Sequence, residues 1–130
     1  PDHAEISLIY AQLLADSGQL DDALVLARRG LQRMPWAPWA HAVHAQVLWE
    51  RGDADPAIDS LQDALRLDPY DSTVRMRLCQ CLGEVGRHAE AVRTIAPLAR
   101  LLPDNEQVQA AYADARTQLS GENPNPAQTP

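Results

Sequence analysis

The sequence predicts an all-α protein built as an α-solenoid of antiparallel helix pairs, on three observations. First, residues recur at a spacing of 34: Gly18, Gly52 and Gly86, then Ala23, Ala57 and Ala91, then Pro35, Pro69 and Pro103. With Gly near ~7% and Pro near ~5% of average usage, the Gly and Pro echoes alone arise by chance about once in 10⁵. Second, the stretches between these residues carry apolar side chains at helical spacing, and a period of 20 to 50 residues marks a stacked repeat array. Third, hydrophobic residues make up 45% of the chain and aromatics 5%, with no Phe. The core is therefore Ala, Leu and Val, which suits closely packed helices.

Asp2 followed by Glu5 has the form of a capping box, and a helix over about 3–17 ends at Gly18, a residue suited to a C-cap. Asp21 and Asp22 favour the start of a second helix, where negative charge meets the positive helix end, and it runs through Leu24, Ala27 and Leu31 to about Arg33 before Pro35 stops it. Pro38 opens the second unit as a first-turn proline, with a helix to about Arg51. Asp53 is expected to cap a fourth helix carrying Ile58, Leu61, Leu65 and Leu67 on one stripe. A fifth helix starts at Asp71 or Ser72 and reaches Gly86. A sixth follows through Ala91, Val92 and Ile95, and Pro97 inside it is expected to kink it or end it early. After Pro103, Asp104 or Asn105 caps a last helix to about Leu119, with Val108, Tyr112 and Ala115 on one face. Such a helix can cover the exposed end of a stack. The units are then 4–37, 38–71 and 72–105 with a capping helix over 105–119, in a single domain over 1–119. Residues 120–130 lack periodicity and apolar content and read as a disordered tail or linker.

The net charge is −7, from 18 acidic residues against 11 basic ones, all Arg. That balance argues against nucleic acid or an anionic membrane surface as the main partner. No apolar run approaches the ~18 residues of a membrane span, and no signal peptide opens the chain. The chain starts at Pro1, as expected of a piece of a longer protein. Cys79 and Cys81, on one helix, sit about 200° apart and do not share a disulfide or a metal. His41 and His44 are three apart but lack a third ligand, so no metal or cofactor is expected. No nucleophile and base, phosphate loop or carboxylate pair stands out, and the chain does not read as an enzyme.

Numbering each unit from Ala4, Pro38 and Ser72, position eight is Ala11, Ala45 and Cys79, position eleven is Leu14, Leu48 and Leu82, position twenty is Ala23, Ala57 and Ala91, and position thirty-two is the three prolines. This pattern resembles the tetratricopeptide repeat family over residues 4 to about 119. It departs from the family at position four (Ser7, His41, Arg75, in place of Trp) and at position twenty-seven (Gly30, Ala64, Leu98), where the family commonly has Ala. The resemblance implies a right-handed solenoid of three units, about seven helices in all, and a concave groove for an extended peptide or a partner helix.

Positions four, seven, eight and eleven lie within about 100° on the first helix of each unit and form the expected packed face. Positions two, five, nine, twelve and thirteen form an opposite arc, which the resemblance assigns to the groove. The groove residues are then Glu5, Leu8, Gln12, Ala15 and Asp16 in the first unit, and Trp39, Ala42, Gln46, Trp49 and Glu50 in the second. The third contributes Thr73, Met76, Gln80, Gly83 and Glu84. Gln12, Gln46 and Gln80 form one series, able to pair with a peptide backbone through both donor and acceptor. Asp16, Glu50 and Glu84 form another, at a helix end where acids oppose the dipole and where Arg51 is expected to offset Glu50. These acids would attract Arg or Lys. Trp39 and Trp49 are candidate anchors, Met76 an adaptable neighbour, and Trp36 is expected to pack against the adjoining unit.

Some family members hold a C-terminal carboxylate with basic and Asn side chains. At the matching positions, Leu8, Gln12, Val43, Thr73 and Arg77, only Arg77 is basic, so a carboxylate clamp is not expected. The leading reading is a protein-interaction module for a basic or apolar protein or peptide ligand, within a larger protein. The alternatives are a self-assembling scaffold segment and a docking or regulatory domain of a larger enzyme. The use of Arg without Lys suggests a GC-rich bacterial genome. Partner identity, compartment and oligomeric state are left open by the sequence.

Overall fold

The computed structural model describes residues 3–122, in which seven helices and no strand are found. The chain divides between Pro69 and Tyr70 into two compact units. The first holds α1 (Ala4–Asp16), α2 (Leu20–Arg33), α3 (Pro38–Glu50) and α4 (Ala54–Leu67), and the second α5 (Ser72–Glu84), α6 (His88–Leu101) and α7 (Glu106–Glu122). Asp2 and residues 123–130 lie outside the described residues, so the capping box and most of the tail do too. α7 continues past Leu119 to Glu122.

The three repeated glycines share one backbone device. Gly18, Gly52 and Gly86 have φ of 84°, 91° and 85°, the left-handed region that favours a residue without Cβ. At each, the glycine N–H donates three residues back and the next N–H donates five back, as in Gly18 to Ala15 (3.0 Å) and Gln19 to Leu14 (2.9 Å). These are Schellman ends, which satisfy the last carbonyls of α1, α3 and α5 and reverse the chain within three residues.

The first unit packs around Leu8, Ala11, Ala15, Leu24, Ala27, Ala40, Val43, Val47, Leu48 and Ala57. Gly30 in α2 sets how closely α1 approaches, because a Cβ there would lie 2.5 Å from Leu8 Cγ and 3.2 Å from the Ala4 carbonyl oxygen. Arg51 is shared between two carboxylates, donating from Nε to Asp21 Oδ1 (3.2 Å) and from Nη1 to Asp53 Oδ2 (2.7 Å). It therefore ties the turn before α4 to the first turn of α2. Being partly solvated, each such pair is worth at most about 1 kcal/mol. Asp53 does occupy the N-cap of α4, but its carboxylate takes Arg51 and makes no cap bond.

In the second unit Leu78, Cys79, Leu82, Ala91, Ile95, Leu98, Ala99, Val108 and Ala115 are buried. Asp71 caps α5 by accepting from the Val74 N–H, and Asn105 caps α7 by accepting from the Val108 N–H, both at 3.1 Å. Pro97 does not end α6, which continues to Leu101. Two features hold that last turn. Leu98 and Ala99 are buried, and Gln109 of α7 donates from Nε2 to the carbonyls of Ala99 (2.8 Å) and Leu102 (3.1 Å). Packing and a side-chain cap outweigh the hydrogen bond that proline removes.

Candidate functional site

The second unit contains a groove of about 820 Å³ between α5 and α7, closed at its base by α6. Its lining comes from helical register. Thr73, Met76, Gln80, Gly83 and Glu84, together with Arg77, lie along one side of α5 and all border the groove. Gln107, Ala111, Asp114 and Gln118 border it from α7, and His88 and Ala91 from α6. Cys79, Ala91, Val108 and Ala115 are buried beneath this rim and present small apolar surfaces. The result is a narrow apolar floor between walls of amides and charges. One guanidinium, Arg77, faces two carboxylates, Glu84 and Asp114, around the same space.

Of the two thiols on α5 only Cys79 borders the groove, and both are chemically quiet. Burial, reinforced by the Asp114 charge, pushes the Cys79 thiol up from its ordinary value. Burial pushes Cys81 up to about 11, with Glu84 adding to the rise and Arg77 opposing it. Both thiols are free and protonated at neutral pH, so neither is a ready nucleophile.

In the first unit the residues expected to share the groove face separate. Leu8 is 0% exposed and Ala15 is also buried, so neither reaches solvent. The reason is Gly30: the missing side chain on α2 leaves a recess that Leu8 fills, and α1 is turned so that Ala4, Leu8, Ala11 and Ala15 form its inner stripe. The expected packed face departs at position seven in the first unit, where Tyr10 is exposed, and at position four in the third, where Arg75 is half-buried with its Nη1 donating to the Thr94 carbonyl (2.8 Å); at position seven of the third unit Leu78 is buried as expected. Glu5 and Asp16 are exposed and Gln12 is half-buried. Trp39 is 40% exposed, whereas Trp49 packs partly against the core. Trp36 stands out in the turn before α3 at 65% exposed instead of packing on a neighbour.

Asp16, Glu50 and Glu84 are the final residues of α1, α3 and α5, and all three are exposed. Arg51 does not offset Glu50, since it is engaged by Asp21 and Asp53; Glu50 instead accepts from Gln46 Nε2 at 3.4 Å. His41 donates from Nε2 to the Pro35 carbonyl (2.8 Å), and His44 Nδ1 lies 2.9 Å from Ser60 Oγ. Burial, then the nearby charges of Arg28 and His41, holds His44 below its ordinary value. Among the described residues no group of three His, Cys, Asp or Glu could hold a metal, and no helix is long and apolar enough to cross a membrane.

The α7 wall was not anticipated from the sequence, which reads that helix as a cap. One further step of 34 from Ser72 would have found it. Counting from Glu106, Gln107, Asp114 and Gln118 fall at positions two, nine and thirteen, the groove register of the three earlier units.

Two family profiles, both described as tetratricopeptide repeat, match the chain, one over residues 48–115 and the other over residues 4–29. The first spans more than half of the sequence, and the chain belongs to the tetratricopeptide repeat family. Similar solved structures include the Sgt2 TPR domain from Aspergillus fumigatus, 14% identical with a TM-score of 0.84 over 100% of this chain and 87% of that one. The first TPR of Spaghetti (RPAP3), bound to an HSP90 peptide, is 15% identical with a TM-score of 0.79 over 90% and 93% of the two chains. The MamA protein is 16% identical with a TM-score of 0.77 over 93% and 66%. These likenesses establish the fold, an all-α arrangement of the helix pairs from which α-solenoids are made. No curated protein matches the chain by sequence.

Proposed function

We propose that the chain is a non-catalytic protein-interaction module that holds a segment of a partner, an extended peptide or a helix, in the groove between α5 and α7. The observation that carries this reading is the groove's construction, with an apolar floor of Cys79, Val108 and Ala115 below a rim of Gln80, Gln107 and Gln118. A floor of small residues accepts an apolar side chain, while amides on both walls offer donors and acceptors to a peptide backbone. Support by analogy comes from relatives of the same fold solved with HSP90 or HSP70 peptides.

The charge pattern narrows the partner. Glu84 and Asp114 against the single Arg77 favour a segment that is basic or apolar over one ending in clustered carboxylates. In the first unit Trp39, large, aromatic and 40% exposed, is the candidate anchor at a groove position of the repeat register.

The test is selection of peptides from a random library on the 1–130 chain, followed by titration of the selected peptide. Gln80→Arg and Ala111→Arg should each weaken binding by about tenfold or more while leaving the melting temperature within the range of surface substitutions. Rising salt should weaken it further if the peptide is basic. Peptides that bind both variants as well as the parent would show that the groove is not the site.

A further inference from the structure

α1 is apolar on two opposite sides. Ala4, Leu8, Ala11 and Ala15 face the core of the first unit. At 100° per residue, Ile6, Ile9, Tyr10 and Leu13 form a second stripe about 180° away, and these four are 63%, 50%, 54% and 59% exposed. A helix that is apolar on every side belongs between two layers, and a contiguous exposed apolar stripe marks a contact surface.

The repeat register says what covers such a stripe. One step of 34 on, the equivalent residues of α3 are Ala40, Val43, His44 and Val47, of which Ala40, Val43 and Val47 are buried and His44 is half-buried. They lie in a core shared with Leu24 and Ala27 of α2, which packs on α3. Three steps on, the equivalents in α7 are Val108, Ala111, Tyr112 and Ala115, all buried or half-buried, and α6 packs on α7. In both places the cover is the second helix of the preceding pair, joined through a four-residue turn, 34–37 or 102–105.

We propose that Ile6, Ile9, Tyr10 and Leu13 are the seat of one more such helix, preceding α1 in a longer chain, so that α1 is an internal helix of the repeat array. A second copy of this chain fits the stripe poorly. Four side chains already about half covered cannot supply the ~800 Å² per partner of a standard interface. Pairing α1 with itself would also set the exposed acids Glu5 and Asp16, which border one edge of the stripe, against their own kind. A helix joined by a four-residue turn needs no such area, because it loses little freedom on docking. This inference does not depend on the groove reading.

The experiment grafts a helix of the second kind ahead of Ala4 in the 1–130 chain, in place of residues 1–3. One graft is a copy of residues 19–37 (α2 and its turn) and another a copy of residues 87–105 (α6 and its turn). Hydrogen exchange of the α1 amides should slow by about tenfold or more in at least one graft, with a higher unfolding midpoint. Ile9→Asp with Leu13→Asp should cancel that gain in the graft while leaving the midpoint of the ungrafted chain unchanged. Exchange unaltered in both grafts would overturn the proposal. So would a concentration-dependent dimer of the ungrafted chain that the same two substitutions dissociate, which would assign the stripe to a second copy.

Discussion

Replacing Gly30 by Ala sets two effects of opposite sign against each other. Alanine is the better helix former, and in an open helix interior the change would stabilise by about 0.8–1 kcal/mol. At Gly30 the new Cβ would meet Leu8 Cγ at 2.5 Å and Cδ2 at 2.8 Å, about 1 Å inside normal carbon contact. Leu8 has no exposed surface into which to retreat, and overpacking a filled core costs about 1–3 kcal/mol. The net expectation is a loss of about 1 kcal/mol, or a fall of about 4–8 °C in the melting temperature for a unit of this size. All three tryptophans, Trp36, Trp39 and Trp49, lie in the first unit, so the urea midpoint followed by tryptophan fluorescence reads this unit alone. Leu8→Ala by itself should cost about 2–5 kcal/mol. In the variant carrying both Gly30→Ala and Leu8→Ala, the methyl group added on α2 fills part of the void, giving a favourable coupling of about 1 kcal/mol or more. Gly83→Ala is the control: it is also within a helix, but its added Cβ meets nothing within 4 Å, and it should stabilise the second unit by up to about 1 kcal/mol in circular dichroism melts. A Gly30→Ala chain more stable than the parent would refute the argument that Gly30 exists to seat Leu8.

Four further outcomes follow from the geometry. His44 is held below 6.5 by burial, so below that pH the unfolded chain takes up a proton that the folded chain refuses. Its contribution is complete above 6.5 and declines as pH falls toward the folded value, so the fluorescence midpoint should drop as pH is lowered below 6.5, and His44→Gln should flatten that slope. Glu90, held below 4.5 by its bond from Arg87, acts in a lower window, its contribution being lost as pH falls through its folded value. Asn105→Ala removes the cap on α7 and should cost about 1 kcal/mol, read by circular dichroism. Cys79 and Cys81 should react with a thiol reagent at pH 8 only as fast as the second unit opens, and urea should release both together.

Much of this fold is legible because its punctuation is local chemistry. Gly18, Gly52 and Gly86 need no tertiary context to favour a left-handed turn, and Asp71 and Asn105 cap the helices they precede. What was not legible depends on residues distant in sequence. The inward turn of Leu8 is decided by Gly30, and the continuation of α6 beyond Pro97 by Gln109 on the next helix. Arg51 stands next to Glu50 in the chain, yet Asp21, thirty residues back, competes for it successfully. The register does place Thr73, Met76, Gln80, Gly83 and Glu84 on one side of α5, and Gln107, Asp114 and Gln118 on α7 carry the same register one step further on.

The reach of Gln109 across to α6 gives the C-terminal helix a mechanical role. Gln109 satisfies the Ala99 carbonyl and shares the Leu102 carbonyl with the Asn105 N–H, so α7 cannot peel away without leaving the last turn of α6 to water. The two should therefore open as one cooperative segment in native-state hydrogen exchange, and a protease that clips the 102–105 turn should loosen α6 as well as α7. Any ligand that grips α7 from the groove would, through this latch, also steady a helix end on the far side of the turn.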